Sequence, residues 1–267
     1  FYNVSGGFTD SDGGARHLGI QVVGSNTVKV ANNLSLMVSG ALSATTYTAV
    51  VSGTVLLDKD AYWGYWGTQG GTKTIGALSM ANGGNYFKAP TGSLTINNQA
   101  SDSYKFRIEN NGTFVHNDGT IVLDASTNGG SYKNTGSNGK WLHNLTVKND
   151  TTSARAIQHV YGVSVANDLI VSGAGSDAAS WDVGFYNAGD GDITASGTAT
   201  VIDGAKLGRS IQNGTYGTLM VGTKGWYDAG PFTYITVQLG NEGTFTNNDG
   251  TVFFSGSNVS SYFIDQD

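Results

Sequence analysis

The chain contains no cysteine, which removes disulfides, thiolate metal sites and thiol catalysis together. It contains two prolines in 267 residues, so little in it is barred from donating to a backbone ladder. Charged side chains make up only 13% of the residues, about half the usual share. The formal net charge is −6 and no run of Lys or Arg occurs. A nucleic-acid binder needs clustered cations to displace phosphate counterions, so nucleic acid is not an expected partner. No stretch approaches the ~18 apolar residues of a membrane-spanning helix, so membrane insertion is not expected either.

What is present is glycine, 40 residues of it, together with abundant Asn, Ser and Thr. Glycine without proline and without a collagen-like period suits many tight turns between short paired strands. The strand signals are frequent. VVGSNTVKVANNLSLMVSGAL (22–42), GSLTI (92–96), GTIVLD (119–124), NLTVKN (144–149), GVSVANDLIVSG (162–173) and FTYITVQLG (232–240) alternate apolar with polar residues. Turn residues separate them, and no window carries a capped stripe of 3.6-residue period. The expected fold class is all-β.

The chain also repeats itself. NNGTFVHNDGTIVLD (110–124) and NEGTFTNNDGTVFFS (241–255) lie 131 positions apart, and eight of the first fourteen aligned residues are identical. Other landmarks recur in the same order. SGTVLLD (52–58) answers to SGTATVID (196–203), and IGALSM (75–80) answers to YGTLMV (216–221). Pro90 and Pro231, the only prolines, lie 141 apart, as do SLTI (93–96) and YITV (234–237). Two units are expected, 1–140 and 141–267, each far longer than one solenoid coil and each holding several. A coil of short strands cannot cover its own apolar face, so the next coil covers it. A pair of β-sandwich domains is the alternative that strand number alone allows.

Within the repeat, Asn117-Asp118-Gly119 and Asn248-Asp249-Gly250 read as two-residue turns, because Asn and Asp tolerate the left-handed region and Gly prefers it.

At FYNVS, WLHNLTV, NDLIVSG and GTFVHNDGTIVLD the chain resembles the F-x-N-L-T-V and G-T-F-x-x-N-x-G-T-V repeat arrays of long bacterial surface proteins and of structural proteins of environmental bacteriophages. The resemblance implies a right-handed parallel β-helix (a β-solenoid) serving as a stalk, fibre or adhesin, outside the cell, on its surface or on a virion. No general catalytic residues accompany that family, so no enzyme is expected. The chain departs from the pattern at 59–72 and at 97–109.

Several residue groups are candidate sites. AYWGYWG (61–67) sets Tyr62, Trp63, Tyr65 and Trp66 among glycines. Such a group makes a stacking platform for sugar rings of a surface glycan or receptor, or a packing and assembly surface. FTDSDGG (8–14) and NAGDGD (187–192) offer Asp10, Asp12, Asp190 and Asp192 as oxygen ligands for Ca2+, without the later bidentate Glu of a calcium loop. Otherwise no cofactor is expected. The acid pairs Asp58 with Asp60, Asp177 with Asp182, and Asp190 with Asp192 sit among Gly, Ser and Ala, as turn aspartates do. A polysaccharide depolymerase needs two carboxylates at a set separation; these pairs are the candidates close in sequence, and a solenoid can also draw such acids from several stacked coils. The four histidines, His17, His116, His143 and His159, show no H-x-x-x-H spacing and read as surface or coil-edge residues. Trp141, Trp181 and Trp226 read as strand-edge or core residues. The chain starts without Met at FYN, where a repeat unit begins, and ends at SSYFIDQD, where one hands over. A processed or excised segment is the expectation, with self-association or more of the same chain covering both solenoid ends.

Overall fold

The computed structural model describes side chains over residues 50–57, 63, 70–80, 85–97, 104–108, 112–134, 142–175, 182–186, 191–208, 214–222 and 224–227, and backbone alone for further strand residues between Phe8 and Asp265. Every regular element among the described residues is a β-strand. Among the described residues, all pairings are parallel except that of Phe8–Thr9 with Ala15–Arg16. A parallel pair needs a crossover between its strands, and here the crossover is the rest of one coil. The all-β solenoid expectation is borne out. Tandem sandwiches are ruled out, since their strands would pair antiparallel with near neighbours.

The stacking is in register over most of the chain. One column runs Val30, Val51, Ile75, Ile96, Leu123, Val147, Val171, Val201, Val221 and Leu239, and the sequence step from member to member varies along it. Where side chains are described, each member from Val51 to Val221 is buried. The strands alternate buried and half-exposed residues, as in Asn144–Lys148, because a pleat turns successive side chains to opposite faces. That alternation is the period of two in the sequence. A second column runs Val55, Leu78, Phe106, Tyr132 and His159, and a third runs Leu42, Trp63, Phe87 and Phe114.

Two strands show how a long element turns between faces. Thr48–Asp58 and Lys73–Met80 pair with a register shift between Val51 and Thr54, and Ile193–Ile202 and Gly214–Val221 pair with one between Ala195 and Thr198. In each case a glycine lies over the bend. A Cβ on Gly76 would sit 2.5 Å from the Ser52 oxygen and 2.7 Å from that of Gly53. A Cβ on Gly217 would overlap the Ser196 oxygen and lie 2.8 Å from that of Gly197. These are the segments SGT over IGA and SGT over YGT that the internal repeat aligns, so the two copies form the same bent corner.

Asparagine closes corners that the backbone ladder leaves open. Asn85 Nδ2 donates to the Leu57 carbonyl at 2.9 Å, and Asn117 Nδ2 donates to the Ala89 carbonyl at 3.0 Å, each one coil back. Buried Asn149 donates to the carbonyls of Ser153 (2.7 Å) and Asp182 (2.8 Å) and accepts from the Thr151 amide (3.0 Å) and hydroxyl (2.8 Å). A buried amide must be satisfied in this way to avoid a desolvation cost.

Candidate functional site

The repeated NDG turn lies at a corner between the strands Thr113–Val115 and Thr120–Asp124. Asn117 and Asp118 both adopt positive φ, 52° and 55°, and the Gly119 amide closes the turn on the His116 carbonyl at 3.1 Å. The two-residue turn is as expected, but Gly119 serves a different purpose. It has no positive φ. A Cβ there would overlap the Pro90 oxygen and lie 2.9 Å from the Gly92 oxygen, so glycine is required by the close passage of the coil beneath. The flanking strands do not pair with each other. Each pairs with strands of adjacent coils.

In the next coil the matching corner is tighter. His143 alone separates Trp141–Leu142 from Asn144–Lys148, where the coil below has four residues. The longer corner therefore projects and carries Asp118 over both imidazoles. Asp118 Oδ1 lies 3.4 Å from His116 Nδ1 and 3.7 Å from His143 Nδ1. The two imidazole rings stack with centroids 5.6 Å apart. One ligand atom from each of the three residues falls within 4.8 Å of the others. Both histidine side chains are 31% exposed and that of Asp118 is 81% exposed, so the cluster opens to solvent. The Asp118 amide donates to His116 Nδ1 at 3.0 Å, which leaves the proton of the neutral ring on Nε2. Partial burial lowers the His116 pKa below its usual value, with the Asp118 charge opposing and His143 adding to the effect. Above, Asn144 Oδ1 accepts from Asn167 Nδ2 at 2.9 Å and continues the corner as an amide ladder.

Helical spacing hides this pair. His116 and His143 stand one coil apart, at the same sequence separation as the paired Ile96 and Leu123. A search at coil spacing finds them. His159 is also not a coil-edge residue. It is fully buried in the column above Phe106 and Tyr132, with Nδ1 donating to the Tyr161 carbonyl at 2.8 Å and its ring 5.3 Å from that of Phe185. Burial lowers its pKa to about 4. His17 lies outside the described residues.

Of the aromatic stretch, Trp63 is fully buried and stacks on Phe87 at 5.4 Å, which stacks on Phe114 at 5.8 Å. An inward column position withdraws it from any exposed sugar platform. The backbone of Tyr62 is in the same strand, its side chain lies outside the described residues, and so do Tyr65 and Trp66. Trp226 is half-buried under the Lys206 ammonium, 4.6 Å from its ring centre. The side chain of Trp141, and Trp181 as a whole, lie outside the described residues.

Among the candidate calcium ligands, Asp192 is exposed and its carbonyl accepts from the Val163 amide at 2.8 Å, while Asp10, Asp12 and Asp190 lie outside the described residues. Asp182 is buried at a corner. Its Oδ2 accepts from the Ala174 amide at 2.9 Å and its carbonyl from the Arg155 amide at 2.7 Å, as a turn aspartate's would. Asp60, Asp177, Asn248, Asp249 and Gly250 lie outside the described residues, and Asp58 is described by its backbone in Thr48–Asp58.

The fold defines a class, the parallel β-solenoids. Compared with known protein families, curated proteins and solved structures, the chain matches none.

Proposed function

We propose that the chain is a non-enzymatic structural segment of an extracellular fibre, virion tail appendage or surface filament. The carrying observation is the in-register apolar column from Val30 to Leu239, whose members pair from coil to coil without a missing rung. Such a stack converts sequence into length at about 4.8 Å per coil. Its conspicuous residues, the aromatic column, the corner asparagines and the bend glycines, serve coil-on-coil packing. The ladder at each end of a parallel stack is open, so further coils, from the same polypeptide or another subunit, are the fitting partner.

A lectin-like adhesin using the 61–67 aromatics is weakened by the burial of Trp63. A depolymerase is weakened by Asp182, whose carboxylate is committed to a corner amide. The test is immunogold electron microscopy of intact cells or virions of the source, with an antibody against this segment. Labelling along the shaft of a filament or appendage is expected. Labelling confined to the cell interior contradicts the proposal.

A further inference from the structure

We infer that His116, Asp118 and His143 form a binding site for a first-row divalent transition metal, with Zn2+ as the reference ion, that staples two successive coils together. The donor set is two imidazole nitrogens and one carboxylate oxygen. That combination suits zinc and its neighbours and does not suit calcium, which takes oxygen ligands alone. Zinc holds such donors at about 2.0–2.2 Å in a tetrahedron, whose ligand-to-ligand edges are therefore about 3.3 Å. The two imidazole-to-carboxylate separations, 3.4 and 3.7 Å, are already close to that edge. The remaining approach, within the 4.8 Å that spans the group, needs only a rotation of half-exposed rings.

The site is made by the fold rather than by a local motif. The four-residue corner of one coil overhangs the one-residue corner of the next, and the metal would tie the turn at 116–119 to the junction at 142–144. Binding through His116 Nδ1 displaces the hydrogen bond from the Asp118 amide, which lies in an exposed turn where water replaces it. The fourth position faces solvent and takes a water. The second copy of the repeat has Asn247 where the first has His116, and His143 lies in the second unit, so the pair stands across the boundary between the two units.

The full chain, stripped of metal by chelator and dialysed, is loaded with ZnCl2 at neutral pH. Bound zinc is measured by mass spectrometry of the metal, and thermal unfolding is followed in parallel. About one zinc per chain and a higher unfolding midpoint are expected. His116→Gln and His143→Gln each lower the affinity by at least about tenfold, close to 1.4 kcal/mol, and cancel the thermal gain. His17→Gln changes neither. Co2+ in place of zinc gives visible absorption in the parent and not in His143→Gln, which reads the coordination directly. Both histidine variants lie at half-exposed positions, and their metal-free unfolding midpoints check that they fold. Zinc retention equal in parent and both variants overturns the inference, as does a parent protein that keeps no zinc or responds to Ca2+ instead.

Discussion

Trp63 stands directly beneath Phe87 in a parallel, inward-facing column, their rings 5.4 Å apart and inclined by 22°. Phe87 repeats the relation with Phe114 at 5.8 Å and 8°. Parallel in-register stacking puts like side chains on top of one another, so an aromatic in one coil is best covered by an aromatic in the next. Trp63→Ala is expected to destabilise the chain by about 3–5 kcal/mol, through lost burial and a cavity. Trp63→Phe is expected to cost clearly less. Urea unfolding midpoints measure both. A Trp63→Ala loss no larger than that of an ordinary surface substitution would place the indole outside the core.

Gly119→Ala tests the close passage of coils at the NDG corner. Its Cβ would overlap the Pro90 oxygen, and backbone cannot move aside without disturbing the coil below. A loss of about 1–3 kcal/mol is expected, in the range of overpacking. Asp118→Gly, at φ 55°, relieves a left-handed residue and is expected to be neutral or slightly stabilising in metal-free protein. Comparing the two by chemical unfolding separates close approach from turn conformation.

The buried histidine gives a pH dependence with a definite sign. His159 has its pKa lowered to about 4 by burial, against about 6.5 in an unfolded chain. Below pH 6.5 the unfolded state takes up the proton first. Stability is therefore complete above pH 6.5 and falls as the pH drops towards 4. The contribution lost is about 2 kcal/mol by pH 5 and about 3 kcal/mol below pH 4. His159→Phe, which continues the aromatic column, is expected to flatten the stability profile between pH 6.5 and 5. Unfolding free energies measured at several pH values decide it, and an unchanged slope in the variant assigns the effect elsewhere.

Asn149→Ala strips a corner of four hydrogen bonds, leaving the Asp182 carbonyl with the Arg155 amide alone. Each such hydrogen bond contributes about 0.5–1.5 kcal/mol net, so a total loss of at least about 2 kcal/mol is expected. Hydrogen exchange of the Arg155 and Thr151 amides is expected to accelerate, since both lie at that corner.

Much of this architecture was legible in the residues. Alternation in NLTVK marks a strand with one face inward, and Asn-Asp-Gly marks a turn with two left-handed residues. The aligned SGT segments mark equivalent bends. What could not be read was register. The coil from Val171 to Val201 is far longer than the one from Val221 to Leu239, so no fixed period reveals which side chains stack. His116 and His143 meet only because one corner is longer than the next. Trp63 sits among glycines in a stretch rich in aromatics, which reads as an exposed platform until its column partners, Leu42 and Phe87, are known. His159 gives no sign of burial in the sequence, because its neighbours Gln158 and Val160 are half-exposed and its column partner Tyr132 is a whole coil away. Gly119 looks like a residue chosen for its φ and proves to be one chosen for the carbonyls beneath it.

The central claim is that each coil is a replaceable rung in a structural stack. Leu123 and Val147 occupy the same column position one coil apart, so deleting residues 123–146 joins Val122 to Val147 without changing register. Small-angle X-ray scattering of the parent and the deleted chain, with unfolding curves for both, is the direct measurement. A folded, cooperatively unfolding chain shorter by about 5 Å is the expected result. A chain that loses its β structure, or keeps its full length, contradicts the claim.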